Sequence, residues 1–368
     1  MQGRWLPTAL LGLIAAIAPA SAAVADDSQW LGLMRVRDMT PFGLTRLDFL
    51  PAHAVVAPEG TFAFELTFTH QNTWALSDNV REYLESRGPG RSDLTQTDVD
   101  AILALPGDAY LVDGEFGLID LTLHYKMSSH FGLYATIPYY IFEGGYLDSG
   151  IESFHDAFGF SDAGRSLISR DRWHTIAKLE RSTLVLNEAP KSDLGDPVFG
   201  VRYSLFDQPA KWNLVVESAV KIPRADQEIM VSTGEYDYGM QISVQRFFKR
   251  HALYATMSGV YYDSPDSALA DDHWIPTVII GWETRLSQHT AMVLQLYGSE
   301  SAVRETNLDE LTADKLQATL GIQWLLERFV LRFGVTENIS SFNNTPDVGL
   351  SLSFGYIFNS PRAAEPSP

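Results

Sequence analysis

The stretch KLQATLGIQWLLERFVLRFGV, residues 315–335, decides how this chain folds. Leu316, Ala318, Leu320, Ile322 and Trp324 fall on every second position, with Gln317, Thr319, Gly321 and Gln323 between them. After a short break at 326–328 the alternation resumes with Phe329, Leu331, Phe333 and Val335. A period of two is the strand period, because successive side chains of a pleated strand point to opposite faces. Two such runs across a tight turn predict an antiparallel hairpin with one apolar and one polar face.

The same signature recurs on both sides. It runs through Phe62/Phe64/Leu66/Phe68, Ile119/Leu121/Leu123/Tyr125, Phe131/Leu133/Ala135/Ile137/Tyr139 and Tyr238/Met240/Ile242/Val244, and ends in Leu350/Leu352/Phe354/Tyr356/Phe358. Residues 251–262 also read as a strand, but both of its faces are mixed and the pattern does not say which points outward. The runs reach about ten residues, the length a tilted strand needs to cross a bilayer. Short turns near 127–130, 207–210, 248–251, 286–289 and 326–328 alternate with long polar connections near 77–108, 143–193, 224–234, 263–273, 299–313 and 340–346. The expectation is therefore an all-β fold: a transmembrane antiparallel up-and-down β-barrel of about twelve strands, with short periplasmic turns and long extracellular loops. The strand-like run from Trp173 to Asn187 breaks the alternation if counted as a crossing, so it belongs inside the second long loop as an extracellular extension.

Composition narrows the class. The 368 residues carry 46 acidic and 27 basic side chains, a net charge of −19, which argues against nucleic acid as a partner. No cysteine is present, so disulfides and thiol chemistry are excluded. Mean hydropathy is −0.06 and no long helical apolar run follows the N-terminus. Residues 1–25 read as a signal peptide: Arg4, an apolar run from Ala9 to Ala18, then cleavage sites after Ala22 or Ala25. The expected organisation is signal peptide 1–25, an N-terminal periplasmic or plug-like segment 26–59, the barrel 60–358 and a polar tail 359–368. Export and amphipathic strands together predict the cell outer membrane.

Around the second long loop the sequence resembles an uncharacterised proteobacterial family, a domain of unknown function, of outer-membrane-type proteins. The likeness rests on Gly144-Gly145-Tyr146-Leu147-Asp148, Ile151-Glu152, His155, Phe158-Gly159, Gly164-Arg165 and Gly195-Asp196, preceded by Ile137-Pro138-Tyr139. The resemblance implies a barrel and its location and carries no activity with it.

Three groups of residues are candidates for function. The loop cluster Asp148, Glu152, His155, Asp156 and Arg165 is the densest polar group. An outer-membrane phospholipase motif, His-Asp-Ser-Asn-Gly-Arg-Ser, finds His155-Asp156 and Gly164-Arg165-Ser166 here, but Ala157 stands where the nucleophile is needed. No enzyme is expected, nor a cofactor. The spacing does not follow a calcium loop, so the carboxylates are expected to pair with arginines and tie the loop across the barrel mouth rather than hold a metal. The inward faces supply Glu65, Asp120, His124, Lys126, Arg202, Glu217, Lys221, Glu283, Arg285, Lys315 and Arg332 as lumen-lining candidates. They fit either an aqueous solute path or a salt-bridged filling, and the sequence leaves both open. Trp74, Tyr139, Tyr140, Trp212, Tyr236, Tyr261, Tyr262, Trp274 and Trp324 lie near strand ends, as interfacial girdles require. Expected partners are outer-membrane lipid and lipopolysaccharide, and the assembly machinery that reads a final strand ending at Phe358. The expected function is a channel or transport barrel for a small solute, with a surface barrel that binds a partner through its loops, or a lipid-modifying enzyme, as alternatives.

Overall fold

A computed structural model describes residues 30–51, 59–159, 161–206, 211–224, 228–263, 272–340 and 344–358. The expected signal peptide and the polar tail lie outside the described residues.

Fifteen strands form one sheet. In chain order they are β1 Thr61–Leu76, β2 Ala109–Lys126, β3 Phe131–Glu143, β4 His174–Lys178, β5 Thr183–Leu186, β6 Asp193–Leu194, β7 Val198–Ser204, β8 Trp212–Lys221, β9 Asp237–Phe247, β10 His251–Tyr262, β11 His273–Arg285, β12 Thr290–Ser299, β13 Lys315–Leu326, β14 Phe329–Ser340 and β15 Val348–Ile357. Twelve of them (β1 to β3 and β7 to β15) pair each with the next, and β1 pairs with β15, so the sheet closes on itself. Closure removes both edges of the barrel wall, so its strands are paired on both sides over the height they share. β13 and β14 form the hairpin the opening stretch predicts, with Leu326 opposite Phe329.

The outward apolar face is bare where a bilayer would cover it: Leu320 is 56% exposed, Leu352 55% and Met240 59%. On the same strands Thr319, Ser353 and Gln241 are buried in the lumen. The unassigned strand resolves as well. Leu253 and Met257 of β10 face outward, while Ala252, Tyr254, Val260 and Tyr262 face inward and are buried. Its inner face is apolar because it packs on chain inside the barrel, which is why neither face looked clean.

One side of the wall is taller. β1 and β2 stay paired up to Leu76 and Leu111, whereas β3 ends opposite Glu115. Above that point the β4–β5 hairpin takes over the edge of β2, pairing His174–Lys178 with Ala109–Asp113. The run from Trp173 is thus an extension above the barrel. Its outer face is covered by helices α1 Asp78–Ser86 and α2 Gln96–Leu103: Val80, Leu84, Val99 and Ile102 bury Trp74, Leu76, Leu111 and Ile176. The spacing of 80/84 and 99/102 puts each pair on one helix face. A Thr95–Asp98 capping box satisfies the start of α2.

That cover corrects the aromatic girdle. Trp74 lies under the helices, and Tyr140 and Tyr262 point into the lumen, all three being buried. Tyr139, Tyr236 and Trp274 stand outside and exposed.

Candidate functional site

The lumen is filled by the chain's own N-terminal segment. Residues 31–51 are all buried, although they carry Arg35, Arg37, Asp38, Arg46 and Asp48. Trp30 begins the segment at the short-turn end, under the Arg285 guanidinium at 3.6 Å from the ring centre. The segment climbs to the long-loop end and reverses through a turn in which Gly43 and Leu44 amides donate to the Thr40 carbonyl at 3.1 and 2.9 Å. It then descends through Leu47 to Leu50.

Buried backbone must find partners, and here the wall's side chains supply them in place of a strand ladder. Glu283 accepts from the amides of Leu31 and Gly32 at 3.1 and 2.9 Å. Gln295 accepts from the Met34 amide at 2.9 Å and donates to its carbonyl at 3.0 Å. Gln323 donates to the Gly32 carbonyl at 2.8 Å, and Gln241 to that of Leu50 at 3.1 Å. Asp237 accepts from the Leu47 amide at 2.7 Å. At the top, buried Lys315 pairs with buried Asp38.

The mouth at the long-loop end is sealed by apolar packing. Met39, Phe42 and Leu44 of the turn sit among Tyr110, Phe116, Tyr140 and Phe142 of the wall, Trp173 of the hairpin, and Met230, Val231, Val303 and Leu311 of the loops.

The predicted lumen residues divide into those that grip the segment and those that pair within the wall. Glu283, Arg285 and Lys315 grip it, as above. Asp120 does so through Arg35 at 3.2 Å, and Lys221 through the Thr45 carbonyl at 3.1 Å while also pairing with Asp237 at 3.0 Å. Within the wall, Arg202 pairs with Glu217 at 2.8 Å; Arg332 does both, pairing with Glu65 at 3.2 Å and donating to the Leu31 carbonyl at 3.4 Å. His124 is buried beside Tyr134, and Lys126 is half-buried at the short-turn end of β2.

The loop cluster does not lie across the mouth as expected. Asp148, Glu152, His155 and Asp156 stand on helix α3 Asp148–Phe158, which Asp148 and Arg165 tie to Asn72 on the outer face of β1. There Arg165 donates to Asp148 at 3.0 Å, to Asn72 at 2.6 Å and to Asp347, and lies over the ring of Trp74. Asn72 and Trp74 share the outward face of β1, so the hub is outside the wall, above the apolar band. Glu152 accepts from Arg91 at 2.6 Å and Arg170 Nε at 3.0 Å. Burial alone would raise its pKa, but the Arg170 and Arg91 hydrogen bonds outweigh this and hold the carboxyl below its ordinary range. Asp156 is exposed. Among the described residues no three His, Asp or Glu converge as metal ligands.

Sequence reasoning missed the charged residues of the lumenal segment. The available signal was an Arg- and Asp-bearing run, Leu33-Met34-Arg35-Val36-Arg37-Asp38, that is too apolar for a free linker and has neither helical spacing nor a turn partner.

Comparison with known proteins agrees with the architecture. A family model described as a protein of unknown function, DUF3187, matches residues 94–358. The COG4313 outer membrane channel from Pseudomonas putida F1 superposes with a TM-score of 0.52 at 10% identity, covering 84% of this chain and all of that one. The toluene transporter TodX of P. putida and the NanC porin give TM-scores of 0.39 and 0.41, at 10% and 6% identity. They cover 83% and 81% of this chain, and 91% and 100% of their own. No curated protein matches the sequence.

Proposed function

The chain belongs to the DUF3187 family, whose description assigns no function, and we propose that it is an outer-membrane channel for a small solute, held closed by its own N-terminal segment. The observation that carries this reading is the way residues 31–51 fill the lumen. They are held by wall side chains such as Glu283, Gln295 and Gln323, which exchange hydrogen bonds with water more readily than a continuous ladder would. A barrel of twelve strands lies between the side-chain-filled eight-stranded and the open sixteen-stranded cases, so removing the segment leaves an aqueous bore.

Planar-bilayer conductance tests this. The full chain is expected to be silent or to open rarely, and deletion of residues 30–51 to give steady, larger steps. The deletion variant is scored only after an unheated gel shows the compact barrel band. A compact variant that passes no current would leave a surface barrel acting through its loops.

The same reading places the protein in the outer membrane, wetted by lipid and lipopolysaccharide on its apolar band. The final strand ending at Phe358 is the handle for the assembly machinery. It also makes the protein a non-enzyme: Ala157 gives His155 no hydroxyl to activate.

A further inference from the structure

The outer edge of the short-turn rim carries an uneven charge. Lys211, Arg246, Lys249 and Arg250 lie together on the arc from β8 to β11, where the sequence of the turns holds one acid, Asp207, outside the described residues. Arg285 and Glu283 also sit near this arc, but both face the lumen and hold the plug. Four basic side chains against one acid leave the outer arc at +3, in a chain whose net charge is −19. Elsewhere on the rim Arg328 stands beside Glu327, and Glu59 is exposed just before β1. Backbone hydrogen bonds keep the arc in line: the Lys211 carbonyl accepts from the Phe247 amide, and the Arg250 carbonyl from the Arg285 amide, both at 2.9 Å.

Three of these cations lack a counter-charge. Lys211, Lys249 and Arg250 are exposed and pair with no carboxylate among the described residues. At the long-loop end exposed cations bring their own partners: Arg172 pairs with Asp93 at 3.5 Å, Lys191 with Asp193 at 3.0 Å and Arg304 with Glu300 at 2.6 Å. The arc is also where the apolar band stops. Phe248, Leu253 and Trp282 stand exposed on the outer face beside the cations. Arg246, outward on β9, is buried against two of the rim's rings, its guanidinium 4.6 Å from the centre of Trp212 and 4.9 Å from that of Phe248.

We propose that this arc is a binding site for an anionic phospholipid of the adjoining leaflet, its phosphate held by Lys211, Lys249 and Arg250 and its acyl chains lying on Phe248, Leu253 and Trp282. The inference rests on the outer-membrane reading and deepens it by naming a lipid class and a place. Cations at a membrane surface attract anionic headgroups, and aromatic rings settle at the same depth. An acidic protein arriving from the water would meet the cations and leave the apolar side chains beside them uncovered. A phospholipid covers both.

Native mass spectrometry of the full chain tests this. The protein, confirmed compact by unheated gel migration, is released from mixed micelles holding equal amounts of phosphatidylglycerol and phosphatidylcholine with the same acyl chains. The expected result is phosphatidylglycerol retained severalfold over phosphatidylcholine, a preference that Lys211→Gln, Lys249→Gln and Arg250→Gln together remove. Arg328→Gln, elsewhere on the rim, should leave the preference as it was. Lys249→Gln with Arg250→Gln serves if the triple variant gives no barrel band, and should lower the ratio. Equal retention of the two lipids by the wild type, or an undiminished preference in the variants, would overturn the inference. So would displacement of the retained lipid by soluble polyglutamate, which would make the partner an acidic protein. A chain that stays in solution without detergent ends the outer-membrane reading itself, whereas a detergent-solubilised barrel with no lipid preference ends only this proposal.

Discussion

The sulfur of Met34 occupies the place that a β-carbon on Gly321 would need, 1.9 Å from it, and the Met34 methyl lies 2.6 Å from the same position on Gly334. Two glycines on neighbouring strands thus form a notch, and the plug is keyed into it. Gly321→Ala pushes Met34 toward Gly334, which has no room, so the change is expected to cost about 1–3 kcal/mol as overpacking does. Adding Met34→Ala should recover part of that loss, so the double variant costs less than the sum of the singles. Urea midpoints read this; strict additivity would mean that Met34 is not seated there.

The Asp38–Lys315 pair is buried on both sides. Removing one member strands the other charge, and Lys315→Met is expected to cost about 3–5 kcal/mol. The double change with Asp38→Asn should restore most of it. Because Asp38 lies on the plug, the single variant should also make the N-terminal segment more sensitive to protease. A segment that stays resistant would place its anchor elsewhere.

The outward face of β13 makes Leu320→Arg expensive, about 2–4 kcal/mol near the bilayer midplane. An empty lumen would make the neighbouring Thr319→Arg mild. Here Thr319 is 1% exposed and bonded to Thr336 at 2.8 Å, so an arginine there has to displace the plug. Both variants are expected to refold poorly into lipid, but deleting residues 30–51 should rescue only Thr319→Arg. Rescue of Leu320→Arg by the same deletion would contradict the face assignment.

The outer hub predicts an acid response. The Glu152 carboxyl is held below its ordinary range in the folded loop. Its pairing with Arg91 and Arg170 therefore stabilises the loop above the usual glutamate pKa near 4.3, and is lost as pH falls through the lowered value. Limited proteolysis between Asp148 and Arg172 should accelerate below about pH 4. Glu152→Gln should show faster cleavage already at pH 7, by an amount matching about 1 kcal/mol. A wild-type loop as resistant at pH 3 as at pH 7 would remove the pair from any structural role.

The barrel was legible because its cause is local: a strand between lipid and lumen must alternate, as Leu320 and Thr319 do. What stayed hidden has non-local causes. β10 looked mixed because Ala252, Tyr254 and Val260 face the plug and not water, and nothing near them in sequence says so. Trp74 looked like an interfacial residue because the helices that cover it come from the following loop. The Arg165 cluster was legible as an ion-paired group, and its chemistry held. Its place did not, because β1 and β2 rise past the end of β3 and offer an outer wall to dock on. The lumenal segment was hardest to read, since its arginines are buried by partners far off in the chain, such as Tyr297 for Arg46, 251 residues away.

A closed cylinder has no free rim of amides and carbonyls, but the tall side gives one back. The ladder that runs from β2 through β4 stops at β5, whose far side pairs with no further strand among the described residues. A rim of this kind invites another chain to add itself. Thr183–Leu186 is only four residues long, with Arg181 tied to Glu305 just before it and Pro190 shortly after. A rim so short, with a charged residue on one side and a proline on the other, offers a passing strand too few hydrogen bonds to hold it. The extension thereby gains height without becoming a seed for stacking one molecule on the next.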